Sequence, residues 1–213
     1  DPAMVGDEAV LLAGKSGCPM AVGPDRVAAA RSLLEYSDCD LILSDDGLQH
    51  YALQRDIEIA VIDGVRRFGN GFCLPAGPLR EPVKRLARAD LVVVNGLGNR
   101  GEYPMQMRLT GVRELQGGGA TRDLQDFRGQ SVHAVAGIGN PQRFFAALRQ
   151  AGLRLEEHVF PDHHPFTPGD LDFGDDRPVI MTEKDAVKCR DFGLPNSWYA
   201  PVTIELPREF AAR

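Results

Sequence analysis

The feature that most constrains this chain is the stretch Asp40-Leu41-Ile42-Leu43-Ser44-Asp45-Asp46-Gly47-Leu48-Gln49-His50. A short apolar run stops abruptly on two carboxylates, a glycine and a histidine. Leu41, Ile42 and Leu43 suit a strand covered on both faces, and Gly47 punctuates its exit. Open α/β sheets collect their chemistry at the carboxyl ends of such strands. Two adjacent aspartates repel unless a cation or a proton lies between them, so a Mg²⁺ site at a phosphate is one use for the pair. The other use is a turn, because Asp and Gly are favoured turn residues.

The rest of the chain predicts further α/β structure. Residues 7–14 are expected to be helical, with Asp7 and Glu8 in the first turn where the helix dipole favours acids. Ala21 and Val22 form a short strand candidate. A helix over 25–36 leads into the strand at 40–44, and a second strand runs over 56–63. The long loop 64–82 is itself a hint of function. It is followed by a short helix near 82–88 and a strand over 90–95. From residue 96 to about 129 the glycine-rich composition, Gly117 to Gly119 included, suits a linker with weak strands. A second α/β pattern then begins: a strand at 132–137, a turn Gly137-Ile138-Gly139-Asn140-Pro141, a helix over 141–151 and a strand over 153–160. After the Asp162-His163-His164 loop come a helix near 167–172, a strand at 179–181, a helix capped by Thr182 and a last strand at 202–206. The expected division is 1–98, a linker over 99–130, and 131–213.

Composition removes several classes of function. With 24 basic and 30 acidic residues the net charge is -6, which argues against a general nucleic-acid binder. Four scattered cysteines with no CxxC pair suggest neither a zinc knuckle nor a disulfide framework. No apolar run reaches the roughly 20 residues of a membrane span. Gly14-Lys15-Ser16 copies the end of a phosphate-binding P-loop, but Ala9 stands where the first glycine is required and a helix precedes it. Gly137 to Pro141 lacks the third glycine of a dinucleotide fingerprint and reads as tight strand-to-helix packing. Arg80 and Glu81, set among prolines, read equally as a surface ion pair or as a phosphate clamp. His163 alone reads as a hydrogen-bonded loop histidine. The basic run Arg66, Arg67, Arg80, Lys84, Arg85 and Arg88 has a solvated face as its ordinary reading.

Eight ordered motifs change the weight of these clusters. Val5 to Glu8, Asp45 to His50, Arg55 to Glu58, Phe68 to Gly71, Leu74 to Pro82, Ala136 to Gly139, Phe160 to His163 and Met181 to Ala186 occur in the order seen in tetraacyldisaccharide 4'-kinases. The chain resembles that family over essentially its whole length. The resemblance implies a P-loop NTPase-like parallel sheet whose P-loop strand is missing here, plus a smaller C-terminal α/β domain. It implies ATP and Mg²⁺ as cofactors and a lipid A precursor, a disaccharide 1-phosphate, as substrate. It also implies residence at the cytoplasmic face of the bacterial inner membrane, touched through an N-terminal segment not in this sequence. The chain is therefore expected to be a soluble fragment, inactive by itself. By resemblance Asp7 is the base for the sugar 4'-hydroxyl and His163 its partner. Glu8, Asp45 and Asp46 take metal and phosphate contacts, and Arg80 and Glu81 lie at the nucleotide. Gln49, His50, Arg66 and Arg67 face the substrate. Two other functions fit the residues: a non-catalytic module that binds the phosphorylated lipid, and a P-loop NTPase acting on a soluble substrate.

Overall fold

The computed structural model describes residues 2–116 and 119–212; Asp1, Arg213, Gly117 and Gly118, and with the last two much of the expected Gly117–Gly119 break, lie outside the described residues. The chain divides into two compact units, residues 1–22 with 108–203, and residues 23–107 with 204–213. The expected division at 98 and 130 differs from this one, because the N-terminal helix groups with the later sheet.

In the first unit, a single turn α1 (Pro2–Val5) precedes α2 (Asp7–Ser16). The sheet has six strands in the order β5-β4-β9-β8-β6-β7. They are β4 (Val112–Glu114), β5 (Thr121–Arg122), β6 (Ser131–Ala136), β7 (Arg154–Val159), β8 (Val179–Thr182) and β9 (Ser197–Ala200). The parallel core β7-β6-β8-β9 is built by crossovers through α4 (Pro141–Gln150) and α5 (Glu183–Cys189). Strand periodicity sorts the core into two layers. Val132, Ala134 and Ala136 of β6 pack with Phe144, Phe145 and Leu148 of α4, and with Phe127 and Trp198. Val135 packs on the other side with Met181, Phe166, Leu171 and α5 residues Ala186 and Cys189. α4 opens with Pro141 at its first position, where the missing N–H costs nothing. α5 is capped as expected: the Thr182 hydroxyl accepts from the Asp185 N–H at 3.1 Å.

In the second unit, α3 (Arg26–Tyr36) is capped by Asp25, which accepts from the N–H groups of Val27 and Ala28. Strands β1 (Ile59–Asp63), β2 (Leu91–Asn95), β3 (Tyr103–Leu109) and β10 (Val202–Glu205) follow that order in one sheet, β1 to β3 being parallel. One face of β1 is packed through Ala60 and Ile62; on the other, Ile59 and Val61 are exposed.

Two expected strands are absent. Residues 21–22 carry no strand, and 40–44 are irregular, with Leu41 and Leu43 exposed. An extended apolar run becomes a strand only when a neighbour supplies the other half of the hydrogen-bond ladder, and none of the described residues pairs with 40–44. Conversely, the expected linker holds β3, β4 and β5, and Ser197-Trp198-Tyr199-Ala200 forms the unexpected β9.

Truncating Phe145, fully buried against β6, is expected to cost about 3–5 kcal/mol. Urea denaturation of Phe145→Ala reads this as a lower midpoint; an unchanged midpoint would contradict the packing described.

Candidate active site

The turn at the carboxyl end of β6 organises the site in the first unit. An added Cβ at Gly137 would meet Asp185 Oδ1 at 3.0 Å, the Pro161 carbonyl at 3.2 Å and the Phe166 ring at 3.3 Å. Only glycine lets these groups close in. The Gly137 N–H donates to Asp185 Oδ2 at 2.8 Å, and the Thr182 hydroxyl donates to the same oxygen at 2.6 Å. Asp185 is fully buried, and its other oxygen lies 3.0 Å from Lys188 Nζ. Lys188, whose side chain is 11% exposed, also lies 3.6 Å from Asp7 Oδ2 and over the Phe166 ring.

Asp7 begins α2 directly after Gly6, whose φ of 88° is natural to glycine. Its residue is 5% exposed. Oδ1 faces His163 Nδ1 at 3.1 Å. A carboxylate can only accept, so Nδ1 carries the hydrogen and Nε2 is left as an acceptor beside Lys184. His163 itself is exposed and holds a φ of 60°, a region that costs a non-glycine residue about 1–3 kcal/mol unless its surroundings fix it. Lys184 completes the group: Nζ donates to Glu8 Oε1 at 3.0 Å and Asp162 Oδ1 at 3.3 Å, and lies 3.4 Å from His163 Nε2. Burial pushes the Asp7 carboxyl upward, but Lys184, His163 and Lys188 outweigh it and hold it below the usual carboxylate range. Burial likewise opposes the Lys184 charge, and the hydrogen bond to Glu8 with the Asp7 charge nearby raises it instead. The cluster is an ionised acid and a tautomer-fixed imidazole stabilised by two lysines.

The sequence reading singled out Asp7, Glu8 and His163, and the structure brings all three together. It missed Lys184, Asp185 and Lys188. Their signal was present in Thr182-Glu183-Lys184-Asp185, read as a helix cap and as part of a family motif but with no role for these side chains; spacing of four puts Lys184 and Lys188 on one helix face.

The second unit holds the remaining candidates. Asp45 and Asp46 are exposed in a turn, with Asp46 at a φ of 50° and its N–H 3.1 Å from Asp45 Oδ1. Gln49 donates to Glu81 Oε2 at 2.7 Å, and the Tyr51 hydroxyl donates to Glu81 Oε1. Hydrogen bonds from Tyr51 and then Gln49 lower the Glu81 carboxyl below its usual range. His50 lines a shallow hollow with Pro24, Asp25 and Arg26. Arg80 and Arg66 are exposed. Arg67 is committed to a bidentate pair with Glu102, at 3.0 and 2.7 Å. Arg85 makes a similar pair with Glu58, at 2.7 and 2.8 Å. The loop carrying Arg80 and Glu81 is braced from within. Asn70 donates to the Ala76 carbonyl at 2.9 Å, and a Cβ on Gly77 would come within 2.1 Å of Asn70 Oδ1.

A family model described as LpxK, tetraacyldisaccharide-1-P 4'-kinase, matches residues 1–213. A protein of Nitrosococcus oceani named tetraacyldisaccharide 4'-kinase is 58% identical over 213 residues, all of this chain and 63% of the relative. Proteins of the same name from Hahella chejuensis and Methylobacillus flagellatus are 50% and 53% identical. The chain thus spans under two thirds of the length of these relatives, 63% and 64% of the latter two. A crystal structure of LpxK from Aquifex aeolicus in complex with ATP shares the fold, with a TM-score of 0.73 over 97% of this chain and 66% of that one, at 24% identity.

Lys184→Met is expected to raise the Asp7 carboxyl pKa, since Lys184 is the largest of the cations depressing it. Carboxyl carbon NMR titration measures it. The sign for stability follows from the same depression. The contribution of ionised Asp7 is full above the unfolded value of about 3.9 and is lost as pH falls through the lower folded value. Lys184→Met should shrink that loss.

Proposed function

Because the chain belongs to the tetraacyldisaccharide-1-P 4'-kinase family, we propose that the protein carrying it transfers the γ-phosphoryl group of ATP to the 4'-hydroxyl of a tetraacyldisaccharide 1-phosphate, the lipid A precursor. The observation that carries this reading is the Asp7–His163 contact of 3.1 Å inside a chain matched along its whole length by that family.

Phosphoryl transfer has a loose transition state, so a protein contributes mainly position and charge. As the hydroxyl oxygen bonds phosphorus and ADP leaves, the hydroxyl proton must go to a base. The Asp7–His163 pair takes it as a unit, with Asp7 as the base. Asp7 Oδ2 is buried without a hydrogen-bond partner, and the second ring nitrogen is His163 Nε2. Lys184, 3.4 Å from that nitrogen and 3.0 Å from Glu8, keeps negative charge tolerable beside the pair. Such acid–base assistance is worth about 10²–10⁴ in rate.

Mg²⁺ would be held by Asp45 and Asp46. Exposed carboxylates are the hard donors this ion takes, and Asp45 and Asp46 have no ion pair among the described residues. When bound, the ion neutralises charge on the phosphate oxygens. Arg80 and Glu81 would lie at the nucleotide, with Glu81 fixed by Gln49 and Tyr51. The substrate's own 1-phosphate has free cations available in Arg66, Lys84 and Arg88, all exposed, whereas Arg67 and Arg85 are already committed to carboxylates. Gln49 and His50 complete the substrate side. No helix among the described residues is long and apolar enough to cross a membrane. Peripheral attachment at the cytoplasmic face of a Gram-negative inner membrane is the location this substrate requires.

In the whole polypeptide, Asp7→Asn and His163→Ala should each lower kcat by about 10²–10⁴ while changing KM much less. Radiolabelled phosphate transfer to the disaccharide 1-phosphate measures this. Undiminished kcat in Asp7→Asn would overturn the base assignment. Removing Mg²⁺ with EDTA should abolish transfer, and Asp45→Ala should raise the Mg²⁺ concentration needed to restore it.

A further inference from the structure

A second group of ligating side chains lies on the first unit's sheet, along β6 and β7 before the turn at Gly137. Parallel pairing sets His133 of β6 beside Glu156 of β7, and Val135 beside His158. Strand periodicity then puts His133, Glu156 and His158 on one face. That face is turned away from α4, which packs against Val132, Ala134 and Ala136. His133 is four residues, about 13 Å along the strand, before Gly137, and His158 is level with Val135.

The geometry within the group is specific. His133 is 1% exposed, and its Nδ1 lies 2.9 Å from His158 Nε2. Its Nε2 lies 3.1 Å from Asp175 Oδ1. Asp175 is ion-paired with Arg177 at 2.7 Å, so it accepts, and the His133 hydrogen belongs on Nε2. Neutral His133 therefore presents the Nδ1 lone pair to His158, and a hydrogen on His158 Nε2 fills the space between the rings. A metal ion can take the place of that hydrogen, His158 then carrying its proton on Nδ1. Glu156 supplies a third ligand: Arg177 binds only its Oε2, at 2.8 Å, leaving Oε1 available. The three ligand atoms lie within 4.8 Å of one another. Phe173 stacks on both imidazoles, at 4.2 and 4.0 Å between ring centroids, and shields them.

We propose that His133, His158 and Glu156 form a site for a divalent first-row transition ion of the zinc type, which pins β7 to β6. Tetrahedral bonds of about 2.0–2.2 Å place ligand atoms about 3.3 Å apart. The two nitrogens need open only slightly. Glu156, with a half-exposed side chain, makes the larger closing movement. Two imidazoles and one carboxylate suit zinc, nickel or copper and discriminate against the all-oxygen preferences of magnesium and calcium. Asp175 on the outer nitrogen of His133 is the carboxylate–histidine support that metal-binding imidazoles commonly have. Arg177 balances the two carboxylates at the rim and leaves water as the fourth ligand.

The test is titration of the chelator-stripped chain with Zn²⁺ against a chromophoric competitor, with Co²⁺ absorption to report tetrahedral geometry. One ion per chain is expected, with a melting temperature that rises with ion concentration. His158→Gln, half-buried and checked for native circular dichroism, should weaken binding at least about 100-fold. Asp175→Asn should weaken it about 10–100-fold. His50→Gln and His164→Gln, removing histidines elsewhere, should leave the affinity unchanged. No binding below about 1 mM, or equal affinity in His158→Gln, would overturn the proposal and leave the pair as hydrogen-bonded histidines.

Discussion

Asp185 is the contact on which the first unit's architecture depends. It is a fully buried carboxylate that accepts from the Gly137 N–H and the Thr182 hydroxyl and pairs with Lys188. Those bonds tie the end of β6, the junction of β8 with α5, and one face of α5 into one polar knot. A buried charge survives only when it is paired and hydrogen-bonded, so each partner is structurally obliged to be there. Lys188 then reaches Asp7, and Lys15 from the last turn of α2 pairs with Glu183 at 2.6 Å. Helix α2 is thereby clamped near both ends, which fixes the carboxylate at its start.

The chemistry of the site follows from that clamp more than from any one catalytic side chain. Burial pushes the Asp7 carboxyl upward; Lys184, Lys188 and the hydrogen bond from His163 hold it down. The same cations limit its freedom, since each oxygen already faces a donor or a cation. The second unit shows a comparable economy. Glu58 receives Arg55 at 2.8 Å and Arg85 at 2.7 Å, Glu81 receives Gln49, Tyr51 and Arg85, and the exposed residues beside them remain unengaged.

Much of this was legible beforehand, and the failures have physical causes. The helices over 25–36 and 141–151 and the cap at Thr182 follow from local periodicity and side-chain caps, which a sequence displays directly. Leu41 to Ser44 failed because a strand is a property of pairs; nothing local says whether a partner exists. β9 was overlooked although Trp198 and Tyr199 are strong strand formers, because the segment is only four residues long and bounded by Asn196 and Pro201. Asp7, Glu8 and His163 were found through motif order, and their meeting over 156 residues of sequence separation is a tertiary fact. Lys184 and Lys188 were hidden because exposed-looking lysines on a short helix are ordinary until something acidic is buried against them.

The backbone at His163 has a consequence of its own. A φ of 60° is tolerated by glycine and, less well, by asparagine, aspartate and histidine, and poorly by most other side chains. The main chain therefore screens what can stand at this position before any demand of chemistry is applied. Glycine and asparagine would suit the turn without an imidazole, and a branched residue would distort it whatever its polarity. Histidine belongs to the small set of side chains compatible with the bend, and within that set it alone offers one ring nitrogen to Asp7 and another beside Lys184.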